Sequence, residues 1–107
     1  MNTLSEVIEI NELYMHYHPL LTDKQRLIMT YYFQDDYSLG EIASLEHISR
    51  NAVHDQIKRT VQKLYDFEDK LRLLSLSKQR KKLLDELTKT HDIDVRNKLI
   101  NELKKVV

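Results

Sequence analysis

The sequence predicts an all-α fold: a helix-turn-helix bundle with a long second motif helix and a C-terminal helical hairpin. Three observations carry this expectation. One Gly and one Pro among 107 residues leave almost no chemistry for strand turns. Apolar residues recur at spacings of three and four, the period of a helix. Between Ser38 and Leu64, two N-cap serines eleven residues apart open two helices separated by a short polar turn.

Along the chain, Val7, Ile10, Tyr14 and Tyr17, joined by Leu13, make the apolar face of a first helix, with Glu6, Glu9 and Glu12 at its edge. Pro19 ends it, because the proline ring pushes the preceding His18 out of the helical region. Thr22 with Gln25 forms a capping box that opens a second helix through Tyr32 or Phe33. Leu27, Ile28, Met29, Tyr31, Tyr32 and Phe33 make this helix apolar on nearly every side, which places it centrally. Gln34, Asp35 and Asp36 break the chain before the motif.

Ser38 with Glu41 is a second capping box, and it starts the first motif helix near Leu39. Leu39, Ile42 and Ala43 face inward, and Ala43 is small enough for another helix to cross closely over it. Leu45 and Ile48 bracket the turn and are expected to pin it to the core. Ser49 caps the second motif helix, in which Val53, Ile57, Val61 and Leu64 form the inward stripe. Arg50, Asn51, His54, Asp55 and Lys58 are left on the opposite face.

No stop signal follows until about Ser75, and Ile57, Leu64, Phe67, Leu71 and Leu74 continue an apolar seam. Leu76, Leu83, Leu84 and Leu87 then serve one helix of a hairpin, and Val95, Leu99, Leu103 and Val106 the other. Thr90 to Asp94 connects them, with Ser77 and Asp92 or Asp94 as caps. The expected organisation is a helix-turn-helix domain at 1–74, with the motif at 38–64, and a hairpin at 75–107 belonging to the same compact unit. The apolar stripes exceed what the small N-terminal core needs. Phe67, Leu71, Leu74, Leu84, Leu87, Leu99 and Leu103 are therefore expected to form a homodimer interface, the alternative being packing within the chain.

The outward face of the second motif helix suits a DNA major groove. Arg50 can pair two hydrogen bonds with guanine and Asn51 with adenine, and His54 lies one turn on; these three are the candidate base readers. Ser49 with the helix N-terminus can hold a phosphate, and Lys58, Arg59 and Lys63 fall where further backbone phosphates would lie. Asp55 opposes this use unless it accepts a hydrogen bond from cytosine or is held by Lys58 or Arg59.

These residues bring a family into view. The blocks L-L-T-D-K-Q at Leu20 to Gln25, Y-Y-F-Q-D-D-Y-S-L at Tyr31 to Leu39 and I-K-R-T at Ile57 to Thr60 resemble the YlxM family of small bacterial proteins. Its helix-turn-helix is in turn similar to region 4 of sigma factors. The resemblance covers about the first seventy residues closely and the remainder in length and helical character. It implies a sigma-region-4-like fold, a DNA-binding or regulatory role, and a connection to the signal recognition particle pathway through neighbouring genes. Ser49, Arg50 and Lys58 carry over, with Arg59 as a phosphate contact. Asn51, His54 and Gly40 stand where the family more often has glutamine, tyrosine and alanine, so base preference does not carry over there.

Other classes find little support. A chain of 107 residues has room for one small domain, not for the several that a sigma factor needs. There is no Cys, no apolar run long enough to span a membrane, and no positive start to the N-terminal stretch M-N-T-L-S-E-V-I-E-I, so a cytoplasmic protein is expected. His16 and His18 fall on different helix faces, and His47, His54 and His91 are scattered, so neither a metal nor another cofactor is expected. No constellation supplies a nucleophile, a base and an orienting group, which speaks against an enzyme.

Charge is strongly segregated. Residues 1–48 carry 8 Asp and Glu against 2 Lys and Arg, and residues 49–107 carry 15 Lys and Arg against 9 acids, a balance of −6 and +6. The basic half, including the run Lys78, Arg80, Lys81 and Lys82, offers a second nucleic-acid contact or a solvated face. Two functions follow as expectations. One is a dimeric regulator of transcription that binds duplex DNA. The other is an adaptor for protein or RNA components of the signal recognition particle, with Glu6, Glu9 and Glu12 as docking surface.

Overall fold

The structure, a computed structural model, describes residues 3–106; Met1 and Asn2 of the N-terminal stretch lie outside the described residues. It contains six α-helices among these residues: α1 (Leu4–Tyr17), α2 (Asp23–Met29), α3 (Leu39–Glu46), α4 (Arg50–Leu71), α5 (Leu73–Lys89) and α6 (Ile93–Lys105). The fold is all-α, as the scarcity of turn residues predicts. Two compact units can be distinguished, residues 1–70 and residues 71–107, so the boundary falls at the end of α4 and not at residue 74.

In the first unit, α1 begins where the Thr3 side chain accepts the Glu6 N–H at 3.2 Å. It buries Ile10, Leu13 and Tyr17, the stripe expected of it, while Val7 and Tyr14 are half-buried. Pro19 turns the chain through a single 3-10 turn at His18–Leu20. Arg26 from α2 fastens that turn by donating to the His18 and Leu21 carbonyls at 3.1 and 2.6 Å. The capping box at Thr22 is complete, with Thr22 N–H to Gln25 Oε1 at 2.9 Å and Gln25 N–H to Thr22 Oγ1 at 3.2 Å.

Periodicity predicts one regular helix from here to Tyr32 or Phe33, but α2 stops at Met29 and the chain widens into a π turn over Thr30–Gln34. The Asp35 N–H reaches back five residues to the Thr30 carbonyl at 3.0 Å. A π turn changes the angular spacing of successive side chains. Here Tyr31, Tyr32 and Phe33, three consecutive aromatics, all pack against the core of Ile28, Ile42, Val53 and Ile57. Asp36 then takes the left-handed conformation at φ 56°, and Tyr37 stacks on Tyr31 with centroids 5.1 Å apart.

The second unit is a hairpin of α5 and α6. Its core is Leu83, Leu99 and Val106, with Leu76, Leu87 and Leu103 packed against it. Asp92 caps α6 by accepting the Asp94 and Val95 N–H groups at 2.8 and 3.3 Å. Ser77 is not a cap. Arg72 adopts φ 55° and breaks the helical run, so α5 already starts at Leu73 and Ser77 lies inside it.

Candidate nucleic-acid interface

The motif is built from two caps and a left-handed turn. Ser38 and Glu41 exchange backbone bonds of 3.1 Å in both directions, which fixes the start of α3. The Ser38 backbone N–H, and after it the Ser38 side chain, hold the Glu41 carboxyl below its usual value by hydrogen bonding to it. His47 ends α3 at φ 57°, ψ 40°, and the Ile48 N–H returns to the Ala43 carbonyl at 3.1 Å. Ile48 packs on the core, but Leu45 is 51% exposed and does not pin the turn.

Ser49 Oγ accepts the Ala52 N–H at 3.0 Å, so α4 begins at Arg50 with a capped first turn. Val53, Ile57, Thr60 and Leu64 are buried and hold α4 in place. Thr60 takes the position beside half-buried Val61 in this stripe, and its hydroxyl is satisfied by the Gln56 carbonyl at 2.8 Å. The buried stripe leaves Arg50, Asn51, His54, Asp55, Lys58, Arg59 and Lys63 exposed. Asp55 is held by Arg59, one turn on, at 3.2 Å, so this carboxylate is partly offset within the helix.

The exposed residues divide into two stripes. Asn51, Asp55, Arg59 and Lys63 follow one another every four residues and face away from the body of the unit. Arg50, His54 and Lys58 instead border a cleft of about 670 Å³. Its apolar wall comes from Tyr32, Leu39, Ile57, Val61 and Tyr65, and Ser38 and Gln62 complete the edge. The expected base readers are thus split, with Asn51 on the open stripe and Arg50 and His54 on the cleft. The cleft itself was missed in the sequence, although Arg50, His54, Lys58 or Val61, and Tyr65 repeat at helical spacing. Burial first, and then Glu9 and Glu6 with a hydrogen bond to Glu9, push the Tyr65 hydroxyl pKa up.

The residues expected to dimerise are placed differently from one another. Leu87, Leu99 and Leu103 belong to the hairpin's own core, Leu74 is buried, and Phe67 lies against Tyr17 with centroids 5.8 Å apart. Tyr17 also donates to Glu68 at 2.5 Å, tying α1 to α4. Leu71 and Leu84 remain 48% and 47% exposed. Among the described residues, no group of three or more His, Cys, Asp or Glu is placed to hold a metal ion, and no helix is long and apolar enough to cross a membrane.

A family model described as "Putative helix-turn-helix protein, YlxM / p13 like" matches residues 4–106. The chain is similar to the UPF0122 protein of Shouchella clausii, at 44% identity over 107 residues, covering 96% of this chain and 98% of the relative. To the UPF0122 protein of Bacillus licheniformis it is 46% identical over 90 residues, 84% of each chain. To that of Anoxybacillus flavithermus it is 52% identical over 88 residues, 82% of this chain and 79% of the relative. With the motif's caps, turn and exposed second helix all in place, the chain belongs to the UPF0122 family of YlxM/p13-like helix-turn-helix proteins.

Proposed function

We propose that this protein is a cytoplasmic, homodimeric regulator of transcription that binds duplex DNA through the first half of α4. One observation carries the reading: a capped helix start presents Arg50, Asn51, His54 and Lys58 to solvent while four residues of the opposite face are buried. In this reading Arg50, Asn51 and His54 meet base edges, and Ser49, Lys58, Arg59 and Lys63 meet phosphates. Leu71 and Leu84 provide the apolar surface for the second copy. Fluorescence anisotropy against random duplex DNA at low and physiological salt tests it. Binding is salt-sensitive and weakened by Lys58→Ala and Arg59→Ala; no binding at low salt removes DNA as the target.

A second reading has its own observation. The unit holding the motif carries 12 Asp and Glu against 7 Lys and Arg, a net −5, which opposes a polyanion. An adaptor for components of the signal recognition particle uses Glu6, Glu9 and Glu12 of α1 to meet a basic partner. Substitution of these three by glutamine then abolishes capture of particle components, whereas Arg50→Ala does not. Unchanged capture by the glutamine variant removes that docking surface.

A further inference from the structure

Duplex DNA meets the outer side chains of α4 and has no use for a cavity between them and the aromatic wall. We propose that the cleft binds a small anionic amphiphile, a carboxylate or sulfonate with an acyl or aromatic body, and that its occupation withdraws Arg50, His54 and Lys58 from DNA. The second half of this proposal rests on the DNA-binding reading above; the first half does not.

Size and shape come first. The cleft holds about 670 Å³, within the roughly 300–1,000 Å³ typical of small-molecule sites. Its lining follows α4 from Arg50 to Tyr65, about 22 Å at ~1.5 Å per residue, so the occupant is elongated or flat. Tyr32, Leu39 and Val61 supply half-buried apolar surface, and Ile57 is buried beneath them. Contact with such a wall favours hydrocarbon or ring carbon over a hydrated ion.

Charge then selects the head group. Arg50 and Lys58 stand at the edge, and no Asp or Glu lines the cleft. Among the described residues neither cation has an ion-pair partner, in contrast to Arg59, which is paired with Asp55. The cations are confined to the first half of the cleft. The second half is lined by Val61, Gln62 and Tyr65, and the Tyr65 hydroxyl is engaged by Glu9 of α1. A polyanion would place charge over this neutral end and against Glu9. A ligand with one anionic head puts the head between Arg50 and Lys58 and its apolar body toward Tyr65.

The test uses the full-length, ¹⁵N-labelled protein and two probes of the same carbon framework. One is 8-anilinonaphthalene-1-sulfonate, and the other is N-phenyl-1-naphthylamine, which lacks the sulfonate. Saturable amide shifts at the cleft residues with the sulfonate are expected. Binding should be roughly tenfold weaker for the neutral probe, and for the sulfonate with Arg50→Gln/Lys58→Gln, from loss of the charge-assisted contacts. Both substituted residues are exposed, so the variant keeps the core. Equal affinity for the two probes overturns the head-group assignment. Shifts centred on α1 or the hairpin, or no saturation, overturn the site. Cleft shifts that depend on protein concentration without any probe identify a second copy as the occupant and also overturn it. In a competition with labelled duplex DNA, saturating sulfonate releases the DNA; DNA retained at saturation overturns the coupling. If the protein binds no DNA without the probe, the DNA reading fails and the probe titration alone decides the site.

Discussion

Replacing Asp55 by asparagine should strengthen DNA binding, and the structure allows the size to be worked out. Asp55 and Arg59 form an exposed pair one turn apart, 3.2 Å from oxygen to nitrogen, with side chains 60% and 81% exposed. Such a pair contributes about 0.3–0.5 kcal/mol to stability at most, so the variant folds as the parent does. On DNA the substitution acts twice. It removes a negative charge from the helix face that would meet the backbone; a unit charge about 9 Å from a phosphate costs about 0.5 kcal/mol in water-like surroundings before salt screening, so relief at two phosphates would gain about 1 kcal/mol. It also releases Arg59 for a phosphate contact of its own. Affinity should rise about fivefold at low salt, with a smaller gain at physiological ionic strength. The slope of log affinity against log salt should steepen by about 0.9 for the added contact. Fluorescence anisotropy over a salt series reads both quantities. A fall in affinity on a preferred site would mean that Asp55 accepts a hydrogen bond from cytosine, and an unchanged slope would mean that Arg59 never reaches the backbone.

Further outcomes rest on local geometry. Gly40→Ala should stabilise by about 0.5–1 kcal/mol, since the added Cβ meets only Ser38 Oγ at 3.9 Å, and His47→Gly by about 1 kcal/mol, since it relieves a left-handed residue at φ 57°. Each should raise the thermal midpoint by roughly 5 °C in a calorimetric scan. Ser38→Ala should cost about 1 kcal/mol by removing the cap. The Glu41 pKa is lowered in the folded state, so its contribution is complete above the unfolded carboxylate value and is lost as the pH falls through the folded one. Glu41→Gln should therefore flatten the acid limb of stability against pH, measured by circular dichroism. Leu84→Asp and Leu71→Asp should shift a sedimenting dimer to monomer, because these residues are 47% and 48% exposed while Leu99 is used within the hairpin; an unchanged mass would place the interface elsewhere.

Much of the fold is legible because helix starts are local chemistry. The boxes at Thr22 and Ser38 and the caps at Ser49 and Asp92 need only a side-chain oxygen and an amide two or three residues on, and all four are in place. Helix ends are a different matter. Asp36, His47 and Arg72 all reverse the chain in the left-handed conformation without glycine, and the one glycine, Gly40, sits inside a helix at ordinary φ. Rules that look for glycine at C-terminal caps therefore overlook the break at Arg72, which explains the misplaced start of α5 and the misread Ser77. The π turn is invisible for another reason. Three adjacent aromatics fit a regular apolar helix in sequence, and only packing shows that all of them turn to the same core. The caps on α3 and α4 and the polar face of α4 were readable. The cleft was not, because its far wall, Tyr32, comes from the region of that π turn.

Charge separates the two units almost as sharply as it separates residues 1–48 from residues 49–107. Residues 1–70 carry a net −5, and residues 71–107 carry 10 Lys and Arg against 5 acids, a net +5. The motif's own cations for phosphate are Lys58, Arg59 and Lys63, all exposed, and Asp55 already engages one of them. If α4 alone meets the backbone, three contacts limit the salt slope to about −2.7 per protomer. The hairpin adds Arg80, Lys81 and Lys82, which are also exposed on α5. If these reach DNA as well, the slope approaches about −5, and Lys81→Ala/Lys82→Ala returns it by about 2. The same double substitution leaves a slope set by α4 unchanged. A salt series on the parent and this variant therefore decides whether the acidic unit binds DNA by its motif alone or depends on the basic hairpin for its attraction to phosphate.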